Sequence, residues 1–208
     1  MIIIKHRWHN LNYEPADDFC DGAEVDIRIS NGKLIVQHDP FKSGILFEEW
    51  LTKFKKSFLI VNVKEEGLIP FVIEKLKRST VKEFFILDET IPFIIKHSKE
   101  GIRDFGIRVS SWEPVGTALK MMRNLENPPR WVWVDTFNGN LPLRKGDVNE
   151  LKNSGAKLCL VSPELHPDYF STTVDDNFLK NVMKVGLKSF DAVCTKIPKF
   201  WSKKIEYK

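Results

Sequence analysis

Three charged residues at alternate positions, Glu24, Asp26 and Arg28, interleave with the apolar residues Ala23, Val25, Ile27 and Ile29. In a strand the period of two puts all three charges on one face. The apolar set then meets a packed layer, and the charged set looks into a polar space. Two carboxylates so close repel each other and hold protons unless a cation neutralises them. A divalent ion or Arg28 could supply that charge. Oxygen ligands from Glu24 and Asp26 suit Mg²⁺ or Ca²⁺ rather than zinc. Two histidines accompany the pair: His6 ends the first apolar run, and His38 ends the run after Glu24-x-Asp26. Imidazole is the side chain best suited both to take and to give a proton near neutral pH. The pattern points to proton-transfer chemistry over a carboxylate cluster.

For these groups to converge, the strands carrying them must end on one surface. Eight short apolar, mostly β-branched runs read as strands: Ile2–Lys5, Ala23–Ile29, Phe58–Val63, Phe84–Leu87, Gly106–Val109, Trp131–Val134, Lys157–Val161 and Asp191–Cys194. Leu34–Gln37 follows Ser30-Asn31-Gly32, a tight-turn signal, and reads as a hairpin return or an extension after the second strand. Amphipathic stretches predict helices over Leu46–Lys56, Ile69–Arg78, Ile91–Lys99, Val115–Asn124, Lys145–Ser154 and Asp175–Val185. This alternation predicts an α/β fold, a compact TIM-type (β/α)8 barrel forming one domain over residues 1–208. The first βα crossover is reduced, because Pro15, Asn10, Asn12 and Asp17 break the segment from Trp8 to Gly22. Catalytic groups of such barrels sit at strand C-termini. Here those ends carry His6-Arg7, His38-Asp39, Asn62, Lys64, Asp88, Asp135, Glu164 and Lys196.

The pieces His6-Arg7, Gly22-Ala23-Glu24-Val25-Asp26, and Asn31-Gly32 leading into Val36-Gln37-His38-Asp39-Pro40 resemble the glycerophosphodiester phosphodiesterase and phosphatidylinositol-phospholipase-C superfamily. The likeness covers about the first 40 residues. It implies a TIM-type barrel in which His6 and His38 act as base and acid while Glu24 and Asp26 hold a divalent cation. Lys64 matches a family lysine that contacts phosphate, which makes it a third catalytic candidate. Asn62 occupies the place of an acidic metal ligand and offers a neutral, weaker oxygen. Arg7, Arg28, Lys64 and Trp8 are the expected substrate and phosphate contacts, with Trp8 where many members carry glycine. The resemblance implies hydrolysis of a glycerophosphodiester-like phosphodiester. Asp26-Ile27-Arg28 also matches the Asp-x-Arg element of metal-independent bacterial phosphatidylinositol-specific enzymes, which gives a lyase using Arg28 as the alternative. A non-catalytic barrel binding a phosphorylated ligand is a further alternative.

Composition narrows the partners. With 208 residues and 42% apolar content the chain can bury one core, and a net charge of +4 is spread among 28 acidic residues. A small anionic substrate suits that distribution better than nucleic acid, since no basic helix or aromatic sheet motif accompanies the arginines. Cys20, Cys159 and Cys194 have no framework spacing and read as inert buried thiols of a reduced compartment. Met1-Ile2-Ile3-Ile4 is too short for a secretory core, and no stretch approaches the roughly 20 apolar residues of a membrane span. A cytoplasmic enzyme without an integral membrane segment is therefore expected. Trp131, Trp133 and Trp201 read as packing residues, His97 as a solvated helix residue, His9 as a group lining the site entrance, and His166 as an exposed loop residue with contact to a leaving group as its alternative.

Overall fold

A computed structural model describes residues 1–166 and 174–206, apart from the side chains of Asn138 and Glu206. In chain order the elements are β1 (Ile2–Lys5), β2 (Gly22–Ser30), β3 (Lys33–Val36), β4 (Ile45–Leu46), α1 (Phe47–Lys53), β5 (Phe58–Val63), α2 (Ile69–Lys77), β6 (Glu83–Leu87) and α3 (Ile91–Lys99). They continue as β7 (Gly106–Val109), α4 (Val115–Asn124), β8 (Trp131–Val134), α5 (Lys145–Asn153), β9 (Lys157–Val161), α6 (Asp176–Val185), β10 (Ala192–Thr195) and α7 (Pro198–Glu206).

Among the described residues, eight parallel strands lie in the spatial order β6-β5-β2-β1-β10-β9-β8-β7. The two ends of that series, β6 and β7, meet at the bridge Ile86–Phe105, where the Ile86 N–H also donates to Asp104 at 2.8 Å. Strands β3 and β4 are an antiparallel extension of β2. Asn31 and Gly32 turn the chain there with φ of 48° and 74°, the pair of positive angles a two-residue hairpin requires.

Apolar side chains pack in two layers. Ile4, Phe58, Ile60, Phe85, Trp131 and Cys194 fill an inner cluster between the strands, with the Phe85 and Trp131 rings stacked at 5.0 Å. Ala23, Val25 and Ile27 point outward into a larger cluster shared with the helices. Ile29 lies beyond that layer and is exposed. Gly22 is fixed by the spacing of β2 and β5, since a Cβ there would stand 2.4 Å from the Phe58 carbonyl oxygen.

The reduced first crossover is a single 3₁₀ segment, Pro15–Phe19. Helix α7, outside the expected set, packs against β1 and that segment. It buries Trp201, whose indole N–H donates to Ser162 Oγ at 2.8 Å. His97 is a correction to the sequence reading. It is buried rather than solvated, its Nδ1 lying 2.8 Å from Glu100 and its ring stacked on Phe105. All three cysteines are buried and free, and burial pushes the Cys20 thiol up to about 12. No helix among the described residues is long and apolar enough to cross a membrane.

Candidate active site

A cavity of about 320 Å³ opens at the C-terminal ends of the parallel strands, lined by His6, Arg7, Glu24, Asn62, Lys64, Asp88, Arg108, Asp135, His166 and Lys196 above an apolar floor that includes Trp133. Strand register builds its acidic wall. Glu24 pairs across with Ile60 and Asp26 with Asn62, so the inward positions of β2 and β5 lie side by side. Glu24 and Asp26 are 1% and 0% exposed, on the face of β2 opposite Ala23, Val25 and Ile27 as the alternation requires.

The two carboxylates have different partners. Asp26 Oδ2 lies 2.8 Å from His9 Nε2 and 3.6 Å from Arg7 Nε, and its Oδ1 lies 3.0 Å from Lys64 Nζ. Burial raises its proton affinity, but His9 and Lys64 outweigh that and hold Asp26 below the usual carboxylate range. Glu24 accepts the Arg7 backbone N–H at 2.8 Å and lies 3.9 Å from His6 Nε2. Burial and the neighbouring Asp26 charge push it well above that range. The groups bracketing the cluster are thus His6 and His9. Burial, Arg7 and Lys196 hold the His6 imidazole down to about 3, so it is neutral, and its Nδ1 is buried without a hydrogen bond.

His38 is reached through Arg7 and is not a lining residue of the cavity. An Arg7 guanidinium nitrogen lies 2.7 Å from His38 Nε2, and His38 Nδ1 lies 2.9 Å from Asp39 Oδ1. A guanidinium can only donate. Nε2 therefore accepts, and Nδ1 carries the proton that it donates to Asp39. Arg7 adopts φ 48° and Asp88 φ 66°, left-handed angles that favour glycine, and both residues line the cavity.

Two expected contacts are corrected. Trp8 is 1% exposed and lies in the outer core instead of at the entrance. The left-handed turn at Arg7 directs the chain away from the cavity, and Trp8 packs edge-on against Tyr13 and Phe54 while its carbonyl accepts the Trp50 indole N–H. Arg28 does not neutralise the carboxylate pair. It stands one residue past the last β2–β5 register pair, Ile27–Val63, and binds Glu65 at 2.7 Å and the His38 carbonyl at 2.9 Å. Lys64, Arg7 and His9 lie against Asp26 instead.

The far wall was not foreseen as a unit. Arg108 at the end of β7 pairs with Asp88, with Asp135 at 2.7 Å and with Glu113 at 3.7 Å. His166 Nε2 lies 2.7 Å from Asp135 Oδ1, and its ring packs on Phe137. Arg108 lies in β7, and Asp88, Asp135 and His166 follow β6, β8 and β9, a positional signal visible in the sequence, but their pairing depends on which distant segments come to lie side by side.

The cation-binding reading can be tested on the same atoms. Among the described residues, no three histidine, cysteine or carboxylate side chains come together as a ligand set. The oxygens on offer are Glu24, Asp26 and the Asn62 amide. Asn62 is buried, and its Oδ1 has no hydrogen-bond partner. Glu24 has no lysine or arginine side chain within 4 Å among the described residues. A buried glutamate with no lysine or arginine ion pair, opening on the same cavity as an orphaned amide oxygen, fits a hard divalent ion.

No protein-family model matches the chain, and no curated protein sequence does. Solved structures do. A protein from Agrobacterium tumefaciens C58, described as a glycerophosphoryl diester phosphodiesterase, superposes with a TM-score of 0.67 at 13% identity, covering 100% of this chain and 99% of its own. A glycerophosphodiester phosphodiesterase from the same organism gives 0.58 at 13% identity, covering 99% of each chain. A glycerophosphoryl diester phosphodiesterase from Parabacteroides distasonis gives 0.65 at 11% identity, covering 99% of this chain and 86% of its own. At such identities the likeness is one of fold, and the chain has the fold of the glycerophosphodiester phosphodiesterases.

Proposed function

We propose that this chain, as one domain over residues 1–208, is a phosphodiesterase that cleaves a glycerophosphodiester-like substrate. The observation that carries this reading is one cavity at the strand ends where neutral His6, the guanidinium of Arg7 and the ammonium of Lys64 surround Glu24 and Asn62, on a fold shared with solved phosphodiesterases.

His6, which lines the cavity, is the proton acceptor from the nucleophile, water or a substrate hydroxyl beside the phosphate, whose oxygen forms the new bond to phosphorus as the alkoxide leaves. His38 is the proton donor to the departing alkoxide, and Asp39 behind its Nδ1 steadies the imidazolium form. At rest Arg7 covers His38 Nε2. Movement of the guanidinium to a phosphate oxygen binds substrate and frees that nitrogen to take up a proton from solvent, which it then gives to the departing alkoxide. Lys64, held between Asp26 and Asp88, faces the charge that grows on the phosphate oxygens. Glu24, Asp26 and Asn62 would hold a divalent cation, Mg²⁺ or Ca²⁺, which supplies further neutralisation of that charge when bound. Asp26 is meanwhile kept ionised by His9 and Lys64, so it is available to a cation at neutral pH.

A panel of glycerophosphodiesters with different alcohols, each assayed with Mg²⁺, with Ca²⁺ and with chelator, tests the proposal. Turnover that depends on the cation and falls in His38→Ala supports it. Phosphate-ester binding without cleavage of any panel member would move the chain to the non-catalytic alternative.

A further inference from the structure

The strand order places β10 on one flank of β1, and β2 followed by β5 on the other. His6 and Glu24 therefore lie between Lys196, just past β10, and Lys64, just past β5. The other three arginine and lysine side chains of the cavity are matched by carboxylates. Arg7 faces Asp26, Lys64 faces Asp26 and Asp88, and Arg108 faces Asp88, Asp135 and Glu113. Lys196 lines the same cavity and makes no ion pair among the described residues.

Its backbone is fixed by a buried carboxylate. The Lys196 N–H donates at 3.0 Å to Glu164 Oε1, which also accepts the Thr195 hydroxyl at 2.5 Å. Glu164 Oε2 accepts the Ser162 hydroxyl, and Ser162 in turn accepts the Trp201 indole N–H. The buried carboxylate thus holds the ends of β9 and β10 together, while the lysine head group has no ion-pair partner among the described residues. In (β/α)8 barrels, the loops after the last two strands are a recurrent phosphate site. The last two barrel strands here are β9 and β10, and α7 begins two residues past Lys196.

We infer that Lys196 is a phosphate-binding residue of this site, holding the phosphoryl group from the β10 side while Lys64 faces it from the β5 side. The inference rests on the phosphodiesterase reading for its substrate, but its anion can be tested alone. The first measurement is calorimetric titration of inorganic phosphate, in chelator, into the wild type, Lys196→Ala, Lys196→Arg and a control of equal charge change on α6, Lys184→Ala. Loss of one charge-assisted contact should weaken binding about tenfold or more in Lys196→Ala, with Lys196→Arg near the wild type and Lys184→Ala unchanged. The second measurement is steady-state cleavage, where Lys196→Ala should raise KM for the diester. Phosphate binding by Lys196→Ala equal to the wild type, an equal loss in Lys184→Ala, or no phosphate binding by the wild type would each overturn the inference. A wild type that binds phosphate through Lys196 but cleaves no diester would sink the phosphodiesterase reading and leave Lys196 standing. Normal cleavage and phosphate binding by Lys196→Ala would do the reverse.

Discussion

His6 and Glu24 titrate in opposite directions from their ordinary values, and that difference makes residue-scale expectations. The folded chain keeps His6 neutral down to about 3, whereas an unfolded histidine takes up a proton below 6.5. Between those values the unfolded state binds more protons, so stability should fall with acidification by at most about 1.4 kcal/mol per pH unit from this group. Urea unfolding from pH 3.5 to 6.5 should show a shallower dependence in His6→Asn than in the wild type. An unchanged slope would mean that His6 is not buried neutral. Glu24 works on the other side: the fold retains its proton above 4.5, where the unfolded chain releases it. Stability should therefore decline as pH rises past 4.5, and Glu24→Gln should lessen that decline in chelator while abolishing any cation dependence. In catalysis, His6→Ala should lower kcat about 10²–10⁴-fold as loss of a proton-transfer group, with the far-ultraviolet spectrum unchanged. Arg28→Ala should cost far less, since Arg28 is engaged with Glu65 and the His38 carbonyl. A loss as deep as that of His6→Ala would restore Arg28 to the chemistry.

At the scale of elements, Trp8 separates packing from binding. Truncation of a fully buried tryptophan leaves a large cavity, so Trp8→Ala should cost about 3–5 kcal/mol in unfolding free energy. Where the protein stays folded, KM should be unchanged. A raised KM at unchanged stability would return Trp8 to the entrance. The sequence exposed most of this scale. Apolar runs between turn signals matched the eight parallel strands to within about one residue at most ends, because strands buried on both faces are written as continuous apolar stretches. Alternation in β2 also located Glu24 and Asp26 inside. Legibility stopped where geometry depends on the third dimension. The φ of Arg7 turned Trp8 into the outer core, and the length of β2 beyond β5 carried Arg28 past the cluster. Helix α7 was missed because its short sequence Pro-Lys-Phe-Trp-Ser-Lys-Lys-Ile-Glu is made a helix by burial of Trp201 against Ser162 as well as by its own pattern. The wall of Asp88, Arg108, Asp135 and His166 was visible only as separate strand ends, for nothing local in a sequence says which ends pair.

Over the whole molecule, parallel strands with their C-terminal ends on one side gather groups from residue 6 to residue 196 around one cavity. Four arginine and lysine residues line it, and the acidic groups pair with three of them, while Lys196 makes no ion pair among the described residues. The measurement that tests this account most directly is ³¹P NMR of a glycerophosphodiester incubated with Mg²⁺ and either the wild type or His6→Ala. The diester resonance should give way to a phosphomonoester with the wild type and persist with His6→Ala over the same interval. A diester that stays intact with the wild type in Mg²⁺ and in Ca²⁺, or one cleaved equally fast by His6→Ala, would contradict it.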